Sequence, residues 1–290
     1  MTSQQPNKTD FLGMEPLQII TVVKDDLSGL KRTENSLHNF APNEIWSIVT
    51  PFDESETHKY SLGLFEDGII RNLIPDAGLG VYAAMNAAIA SHSLDSWLWF
   101  INSGDEIGSG EAVDLIKQRV LSRDHRWFYG GYHLASESGQ ILGEKLAPQN
   151  FKIENQLFSK HYVSHQALIV SNSLLTKIDG FDTNLKISAD WDLFVRLSNI
   201  EDPGRIDFPL SVFHMGGIST QARVLGNREL LSLRKKYLPK KFLLKSYYWF
   251  IFRTIRNQLV RMLENYLPQV ADKLRKLRFK ISRVVKNRTF

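Results

Sequence analysis

Residues 97–110 read WLWFINSGDEIGSG. The first six, 97–102, are mainly aromatic and apolar, a pattern typical of a strand buried in a protein core. They lead directly into Ser103, Gly104 and Asp105, and small or polar residues of this kind are typical of a turn. A carboxylate therefore stands at the end of a core strand, where a ligand would give its charge a partner.

The sequence around this stretch alternates apolar, β-branched segments with segments of helical periodicity. Strands are predicted over residues 17–23, 44–50, 69–74, 97–101, 126–133, 163–170 and 204–214. Helices are predicted over residues 27–40, 80–92, 110–121 and 189–199. This alternation predicts an α/β fold with a mainly parallel central sheet that is covered on both faces.

Asp105 has a defined place in such a fold. Ligands bind outside the carboxyl ends of the strands of these sheets, so we expect Asp105 to be exposed there and to face a ligand. The alternative interpretation is that Asp105 merely caps the helix that begins near Gly108.

Composition excludes several chemistries. The chain has 290 residues, 43% of them apolar, which is ample for one large domain with an appendage. It has no cysteine, which excludes disulfides, zinc–thiolate sites and thiol nucleophiles and fits a reducing cytosolic setting. Residues 1–14 are polar and lack the apolar segment of a secretory signal, so we expect a disordered tail there.

Charge is distributed unevenly along the chain. Residues 231–290 carry 17 Lys or Arg and two acids, whereas residues 1–230 carry 19 bases and 29 acids. An acidic body with a basic tail indicates two separate functions, or one function and one segment that determines where the protein binds in the cell.

Three motifs occur in a fixed order. They are VYAAMNAAIA (81–90), FINSGDEI (100–107) and GFDTNLKISADWDLFVRL (180–197). Their order and spacing resemble the family-2 inverting glycosyltransferases of the GT-A fold, most of all the bacterial branch that builds surface polysaccharides. The resemblance implies a GT-A nucleotide-sugar-binding domain over residues 15–225, followed by a basic amphipathic helical tail over 226–290.

The resemblance also implies a divalent cation, Mg²⁺ or Mn²⁺, which neutralises the nucleoside diphosphate leaving group. Asp105 matches the last acid of the family's metal-binding DxD-type motif, and Asn102 stands where many relatives have another Asp. His214 matches a position where some relatives bring a side chain to the metal or the diphosphate; a structural histidine is the alternative.

Further residues are implied around the donor and the acceptor. The expected donor-binding residues are Asp53, Tyr82, Asn86, Asn102 and Ser103. His165 and Gln166 match a His-Gln pair on the acceptor side. The alternatives are an ordinary exposed helix position for Asn86 and a satisfied core histidine for His165.

Inverting transfer needs a base that takes the proton from the acceptor hydroxyl. By the resemblance this base is Asp190, with Ala189 in place of the Glu that precedes it in many relatives. The alternative is a helix N-terminal acid favoured by the helix dipole. Asp192 is expected to be structural, because Arg196 lies four residues on and can pair with it.

The chain departs from the family after its second predicted strand. There it reads TPFDESET (50–57), where relatives usually have an Asp-rich run that grips the base and ribose. Thr50 replaces the expected Asp, which leaves Asp53 as the candidate. Gly78 and Ala83 also stand where many relatives carry Asp. The nucleobase preference is therefore open.

The basic tail has the composition of a membrane-interface segment. Its densest apolar stretch, 247–252, is far shorter than the ~20 residues that span a bilayer, and aromatic residues flanked by Lys and Arg suit the interface. A second apolar seam is predicted at Val270, Leu274, Leu277, Ile281 and Val284. We expect the tail to lie on an anionic membrane; the alternative is a tail packed on its own domain or on another subunit. If the tail serves only to attach the protein to the membrane, a chain that is cut between residues 221 and 227 should stay folded.

The sequence thus predicts a glycosyltransferase at the cytoplasmic face of the inner membrane. It would move one sugar from a nucleotide-sugar donor to a surface-glycan acceptor, most simply a lipid-linked one. The first alternative is a catalytically silent GT-A-like protein that binds a membrane complex. Nucleic acid is not an expected partner, because the body is acidic and the aromatic residues are bunched rather than spread along a groove.

Overall fold

The computed structural model describes residues 17–41, 45–158, 163–216 and 222–267. The strands are β1 (Leu17–Val22), β2 (Ile45–Thr50), β3 (Asn72–Pro75), β4 (Trp97–Phe100), β5 (Glu106–Ile107), β6 (Trp127–Ala135), β7 (Ile141–Lys145), β8 (Leu168–Ser171) and β9 (Gly204–His214). The helices are α1 (Leu27–Phe40), α2 (Glu56–Glu66), α3 (Val81–Ser91), α4 (Gly110–Ser122), α5 (Ile153–Phe158), α6 (Asn172–Lys177), α7 (Ala189–Ser198), α8 (Arg223–Tyr237) and α9 (Leu243–Tyr266). Short 3₁₀ turns lie at His165–Ala167 and Lys240–Phe242.

The described strands form one sheet in the order β3-β2-β1-β4-β8-β6-β9-β5, with β7 paired to β6. The first four strands are parallel, as predicted. Beyond β4 the sheet is mixed, because β8 is antiparallel to both β4 and β6 while β9 is parallel to β6. Antiparallel pairs need no crossover helix, so the strand–helix alternation that predicts a parallel sheet fades in this half.

Both faces of the sheet are buried. On one face, Ile20 and Leu98 pack with Met85 of α3 and Leu193 of α7. On the other face, neighbours of these strand residues, such as Ile19 and Trp99, pack with α1 and α4. Successive residues of a strand point to opposite faces, so continuous apolar strands are what a sheet covered on both sides requires.

The chain stays beside β1 after β4 ends. The backbone N–H of Ser103 donates to the carbonyl of Val22 (3.1 Å), and that of Asp105 closes a turn onto Asn102 (2.9 Å). Gly104 has φ +89°, a conformation that glycine adopts without strain. The turn therefore lies at the carboxyl ends of two adjacent parallel strands.

Asp105 is not the cap of the next helix. The short strand β5 follows it, and α4 is capped by Ser109, whose side chain accepts a hydrogen bond from the backbone N–H of Ala112. The interpretation of Asp105 as a helix cap is therefore wrong.

The first helix of the expected tail packs on the body. Leu230, Leu233 and Leu238 share a buried cluster with Trp191 of α7 and with the apolar residues of α5. The expected boundary between residues 225 and 226 falls inside α8. The predicted seam from Val270 to Val284 lies outside the described residues.

We expect a chain that ends at residue 222 to aggregate, contrary to the expectation from sequence alone. It would lose Leu230, Leu233 and Leu238, and burial of each such side chain contributes roughly 1.5–3 kcal/mol. The partners of these residues on α5 and α7 would become exposed. The soluble fraction after expression and a thermal melt measure the effect, with a chain ending at residue 267 as the control. A 1–222 chain that melts cooperatively at the control's temperature would contradict this packing role.

Candidate functional site

An open cavity of about 740 Å³ lies at the carboxyl edge of the parallel strands. Five segments provide most of its wall: 22–24 after β1, 80–82 at the start of α3, 102–105 after β4, 165–166 in the 3₁₀ turn and 213–216 at the end of β9. Ligand pockets for small molecules span roughly 300–1,000 Å³. The cavity is where the topology predicts a ligand.

Asp105 lies in the cavity wall but is buried, with 6% of its surface exposed. Its Oδ2 accepts a hydrogen bond from Nε2 of Gln166 (2.5 Å), and its Oδ1 accepts one from the backbone N–H of His214 (3.0 Å). The expectation that Asp105 is exposed is therefore wrong, because the 3₁₀ turn and β9 close over it. Burial raises its pKa to about 7, although both hydrogen bonds act in the opposite direction.

Asp26, which sequence reasoning did not identify as a cavity residue, holds the same turn from the other side. Its carboxylate caps α1 through the backbone N–H of Gly29 (2.9 Å) and accepts a hydrogen bond from Oγ of Ser103 (2.9 Å). Ser103 and Asp26 both line the cavity. The signal in the sequence was the acidic pair that precedes the first helix.

Asn102 and His165 meet in the wall next to Asp105. Nδ2 of Asn102 donates to Nε2 of His165 (3.0 Å), while Oδ1 of Asn102 is buried without a hydrogen-bond partner. Burial lowers the pKa of His165 to about 4, so its ring is neutral near pH 7. Gln166 accepts a hydrogen bond from Oγ of Ser164 and so is oriented toward Asp105. These predicted residues from the turn and from the His-Gln pair form one cluster.

His214 lines the cavity, but its ring has other partners. Nε2 lies 2.6 Å from a carboxylate oxygen of Glu106, and Nδ1 lies 3.2 Å from the carbonyl oxygen of Ser136. Both ring nitrogens thus already face oxygen atoms of the protein, as expected for a structural histidine, and a metal-ligating role for His214 stays a prediction. The backbone N–H of His214 serves the site by holding Asp105.

The remaining oxygen groups fit a hard divalent cation. Within the described residues, no three His, Asp or Glu side chains are arranged to hold a metal ion. Mg²⁺, however, takes only one or two protein carboxylates and completes its shell with phosphate oxygens and water. The Asp105 carboxylate and the unpartnered Oδ1 of Asn102 would be such ligands, and a carboxylate keeps further lone pairs beyond its two hydrogen bonds.

Tyr82 and Asn86 lie on α3, but only Tyr82 lines the cavity. The hydroxyl of Tyr82 donates to the carbonyl of Ile187 (2.8 Å). The side-chain amide of Asn86 is used at both ends by the backbone of Phe181, donating to its carbonyl (2.8 Å) and accepting from its N–H (2.8 Å). The structure therefore places Asn86 behind the cavity wall, where it ties α3 to the segment before α7.

Asp190 lies at the start of α7, three residues after Ile187, and its charge interacts with Tyr82. It is not among the described residues that line the cavity, and 8% of its surface is exposed. Burial raises its pKa to about 7, against the hydrogen bond that its Oδ1 accepts from the backbone N–H of Trp191. The charge of Asp190 in turn adds to the burial that raises the pKa of Tyr82.

Asp192 is fully buried and structural. Its carboxylate accepts hydrogen bonds from Nε of Arg196 (2.6 Å), Nζ of Lys236 (3.0 Å) and the hydroxyl of Tyr237 (2.5 Å). Burial alone would raise its pKa, but these partners lower it below the ordinary value. The predicted pair with Arg196 is present, and two residues of α8 extend it.

Asp53 and Thr50 do not line the cavity. Asp53 is exposed, and its pKa is lowered first by a hydrogen bond from the Ser55 side chain and then by one from the Ser55 backbone N–H (3.0 Å). Thr50 is buried at the end of β2, and its hydroxyl has no hydrogen-bond partner in the described structure. Thr50 and Asp53 of the TPFDESET segment, where the chain departs from the family pattern, thus lie apart from the residues around Asp105 that line the cavity.

Three cations complete the cavity wall. Lys24 follows β1, Arg32 lies on α1, and Lys186 precedes α7. One guanidinium nitrogen of Arg32 donates to the carbonyl of Glu137 (3.4 Å). Sequence reasoning missed these residues because they share no motif and are brought together only by the fold. The wall also carries four acids, Asp26, Asp76, Asp105 and Glu137. A wall with both signs of charge suits an anionic ligand that carries a metal ion.

Known proteins resemble this chain in sequence and in fold. It is 27% identical over 230 residues to uncharacterized glycosyltransferases of two Mycobacterium tuberculosis strains, CDC 1551 and H37Rv; the match covers 76% of this chain and 85% of each relative. No protein-family model matches the chain.

Among solved structures, S. aureus TarS 1-349 in complex with UDP-GlcNAc superposes with a TM-score of 0.58 at 11% identity, covering 87% of this chain and 76% of that one. In the TarS complex with UDP, the match covers 64% of the TarS chain. A mannosyltransferase from Pyrobaculum calidifontis, solved with GDP-Man and Mn²⁺, gives a TM-score of 0.54 at 10% identity and covers 95% of this chain and 89% of that one. The chain has the GT-A fold of these glycosyltransferases.

Proposed function

We propose that this protein is an inverting glycosyltransferase that moves one sugar from a nucleoside diphosphate donor to a surface-glycan acceptor, most simply a lipid-linked one. The observation that carries the proposal is the cavity at the carboxyl edge of the sheet, whose wall contains the oxygen groups of Asp105 and Asn102 together with three cations. The curated relatives named glycosyltransferases, and the neighbours solved with UDP-GlcNAc and GDP-Man, support it.

The donor diphosphate would lie between the cations and the oxygen cluster. Lys24, Arg32 and Lys186 line the cavity and supply charge for the phosphates. Asp105 and Asn102 would hold a divalent cation there, which neutralises the charge that develops on the leaving diphosphate. The bonds from Gln166 and His214 fix the Asp105 carboxylate, so it needs no reorganisation during the reaction.

Asp190 would act as the base. In a single displacement the acceptor hydroxyl attacks the anomeric carbon, the bond to the diphosphate breaks, and the hydroxyl proton passes to a carboxylate oxygen. A pKa of about 7 suits this task, since a general base works best when its pKa is near the working pH. Asp190 is buried next to Tyr82 and does not line the cavity, so the proposal requires that the acceptor hydroxyl reach this carboxylate past the Tyr82 side of the cavity.

A membrane surface would supply the acceptor. One face of α9 carries exposed apolar side chains at helical spacing: Leu244, Tyr248, Ile251, Ile255, Leu259, Met262 and Tyr266. Exposed lysines flank it at Lys235, Lys240, Lys241 and Lys245. An apolar face bordered by cations suits an anionic bilayer surface such as the cytoplasmic leaflet. Among the described helices, none has the length and apolar character needed to cross a bilayer.

We expect the protein to float with anionic vesicles and to lose most of this binding when Ile251, Ile255 and Leu259 are all replaced by Ser. Each loses an apolar contact with the acyl boundary, worth about 0.8 kcal/mol per buried CH₂. The control replaces Leu79 and Leu94 by Ser; both leucines are exposed and are distant from α9 in the sequence. Equal flotation of the wild type and both variants would contradict the membrane role of α9.

A panel of nucleotide sugars, read by saturation-transfer NMR with and without Mn²⁺, tests the proposal. We expect one donor to bind with a metal-dependent signal, and competition by the corresponding nucleoside diphosphate. The rival function is a catalytically silent GT-A-like protein that binds a membrane complex, and the absence of an Asp at position 50 favours it. Absence of binding by every nucleotide sugar and nucleoside diphosphate in the panel would overturn our proposal in favour of this rival.

A further inference from the structure

The carboxylate of Glu229, on α8, lies buried against the segment 186–188. Its Oε1 accepts a hydrogen bond from the backbone N–H of Lys186 (2.8 Å). Its Oε2 accepts two more, from the backbone N–H groups of Ile187 (3.0 Å) and Ser188 (2.9 Å). Three hydrogen bonds to one ionised carboxylate form a strong anchor, because charge-assisted bonds are roughly twice as strong as neutral ones.

A second contact from α8 reinforces this anchor. Gly226 lies so close to the segment that a Cβ atom there would come within 2.9 Å of Cγ2 of Ile187. The hydroxyl of Ser188 donates to the carbonyl of Gly226 (3.4 Å) instead of capping α7 with its own side chain. The start of α7 is thus held by α8 rather than by a cap of its own.

The anchored segment belongs to the functional site. Lys186 and Ile187 line the cavity, and the carbonyl of Ile187 accepts the hydrogen bond from Tyr82. Ser188 stands two residues before Asp190. A shift of this segment would therefore move a cationic wall residue, the Tyr82 contact and the carboxylate of Asp190 together.

The charge of Glu229 also acts on Asp190. The ionisable groups that interact with Asp190 from neighbouring elements are Glu229 on α8 and Tyr82 on α3. Asp192, on the same helix, is paired with Arg196 and Lys236. Burial is the largest cause of the raised pKa of Asp190, and the negative charge of Glu229 raises it further.

We infer that Glu229 is a positioning residue for the reaction: from α8 it holds segment 186–188 and sets the place of Asp190. This inference rests on the proposed function for its kinetic consequence. It makes the first helix of the basic C-terminal region a part of the active-site scaffold, a role that the sequence pattern did not indicate.

The test compares Glu229→Gln with Glu229→Asp, which keeps the charge, and with Glu66→Gln, an exposed acid on α2. The pKa of Asp190 is followed by ¹³C NMR of aspartate-labelled protein, assigned with Asp190→Asn. We expect Glu229→Gln to lower that pKa, Glu229→Asp to keep it near the wild-type value, and Glu66→Gln to leave it unchanged. An unchanged pKa in folded Glu229→Gln would overturn the inference.

The kinetic readout is the pH profile of kcat for sugar transfer. Misplacing a reacting group by 1 Å costs about 10²-fold, so we expect a fall of that order in Glu229→Gln, with the acid limb moved to lower pH and a partial recovery in Glu229→Asp. If Glu229→Gln does not fold, Gly226→Ala displaces Ile187 without altering charge. It should lower kcat while the acid limb stays in place. A Gly226→Ala enzyme with wild-type kcat would then count against the inference.

The two proposals fail in different ways. If the wild type transfers no sugar from any donor, the proposed function fails, while the NMR comparison still tests whether Glu229 acts on Asp190. If the wild type is active and folded Glu229→Gln matches Glu66→Gln in either readout, the positioning role fails and the proposed function stands.

Discussion

Asp190→Asn lowers kcat for sugar transfer by about 10²–10⁴-fold, the range that a general base contributes, while the donor still binds. Asn has nearly the shape of Asp but cannot take the acceptor proton. Donor binding is spared because the side chains that would hold the diphosphate line the cavity, whereas Asp190 does not. Steady-state kinetics with a saturating donor, together with calorimetric titration of the nucleoside diphosphate, measure the two effects.

Asp192→Asn is the matched control for this result. Asp192 is paired with Arg196, Lys236 and Tyr237, so its replacement should lower the melting temperature and change kcat only through stability. An Asp192→Asn enzyme that folds normally yet loses as much kcat as Asp190→Asn would move the base role to Asp192.

Asp190→Asn should also change how the free energy of unfolding depends on pH. An unfolded aspartate titrates near 3.8, whereas burial holds the pKa of Asp190 at about 7. Between these values the folded chain keeps a proton that the unfolded chain has released, so the free energy of unfolding falls as pH rises through this window. Urea denaturation should therefore find the variant stabilised relative to wild type at about pH 8 and not at about pH 4. The same difference at both pH values would argue against a raised pKa.

Asp105→Asn weakens metal-dependent donor binding. Loss of a residue that only supports a metal ligand usually lowers metal affinity by about 10–100-fold, so loss of the ligand itself should cost more than this. The variant loses a charged oxygen ligand. Its amide NH₂ would also face a donor, either Nε2 of Gln166 or the backbone N–H of His214. Calorimetric titration of the nucleoside diphosphate with Mn²⁺ and with a chelator measures the change.

The control for Asp105→Asn is Asp67→Asn, which alters an exposed acid at the end of α2. It should bind the nucleoside diphosphate with wild-type affinity and metal dependence. Undiminished metal dependence in a folded Asp105→Asn protein would show that Asp105 only supports the turn. Substitution by Ala is less informative, because leaving Gln166 and His214 unpartnered costs about 1–3 kcal/mol each.

Much of the fold could be predicted from the sequence, and the places where it could not have physical causes. Strands β1, β2 and β4 carry long buried apolar runs, and β9 was predicted with its observed bounds. The antiparallel half was less clear: β5 and β7 are short or exposed, so they leave little hydrophobic pattern. Residues 163–167 precede β8, partly as a 3₁₀ turn: Val163 and Ala167 are buried in the core, whereas His165 and Gln166 between them line the cavity.

The sequence predicted which residues form the site better than it predicted the surroundings of those residues. The pattern located Asp105 at a strand end, but its burial depends on Gln166 and His214, which are 61 and 109 residues away in sequence. Asn86 matched a motif, yet its partner is the backbone of Phe181. Spacing within one helix revealed the Asp192–Arg196 pair, whereas no local pattern could reveal Lys236 or Glu229.

The most direct test of the central claim is the fate of the sugar itself. The wild type is incubated with the donor found in the panel and with a membrane lipid extract, and products are followed by mass spectrometry and by the anomeric ¹H coupling. We expect one nucleoside diphosphate to be released per acceptor that gains one sugar, with inverted anomeric configuration. A donor that binds in the cavity and yields neither nucleoside diphosphate nor glycosylated acceptor, or a product of retained configuration, would contradict it.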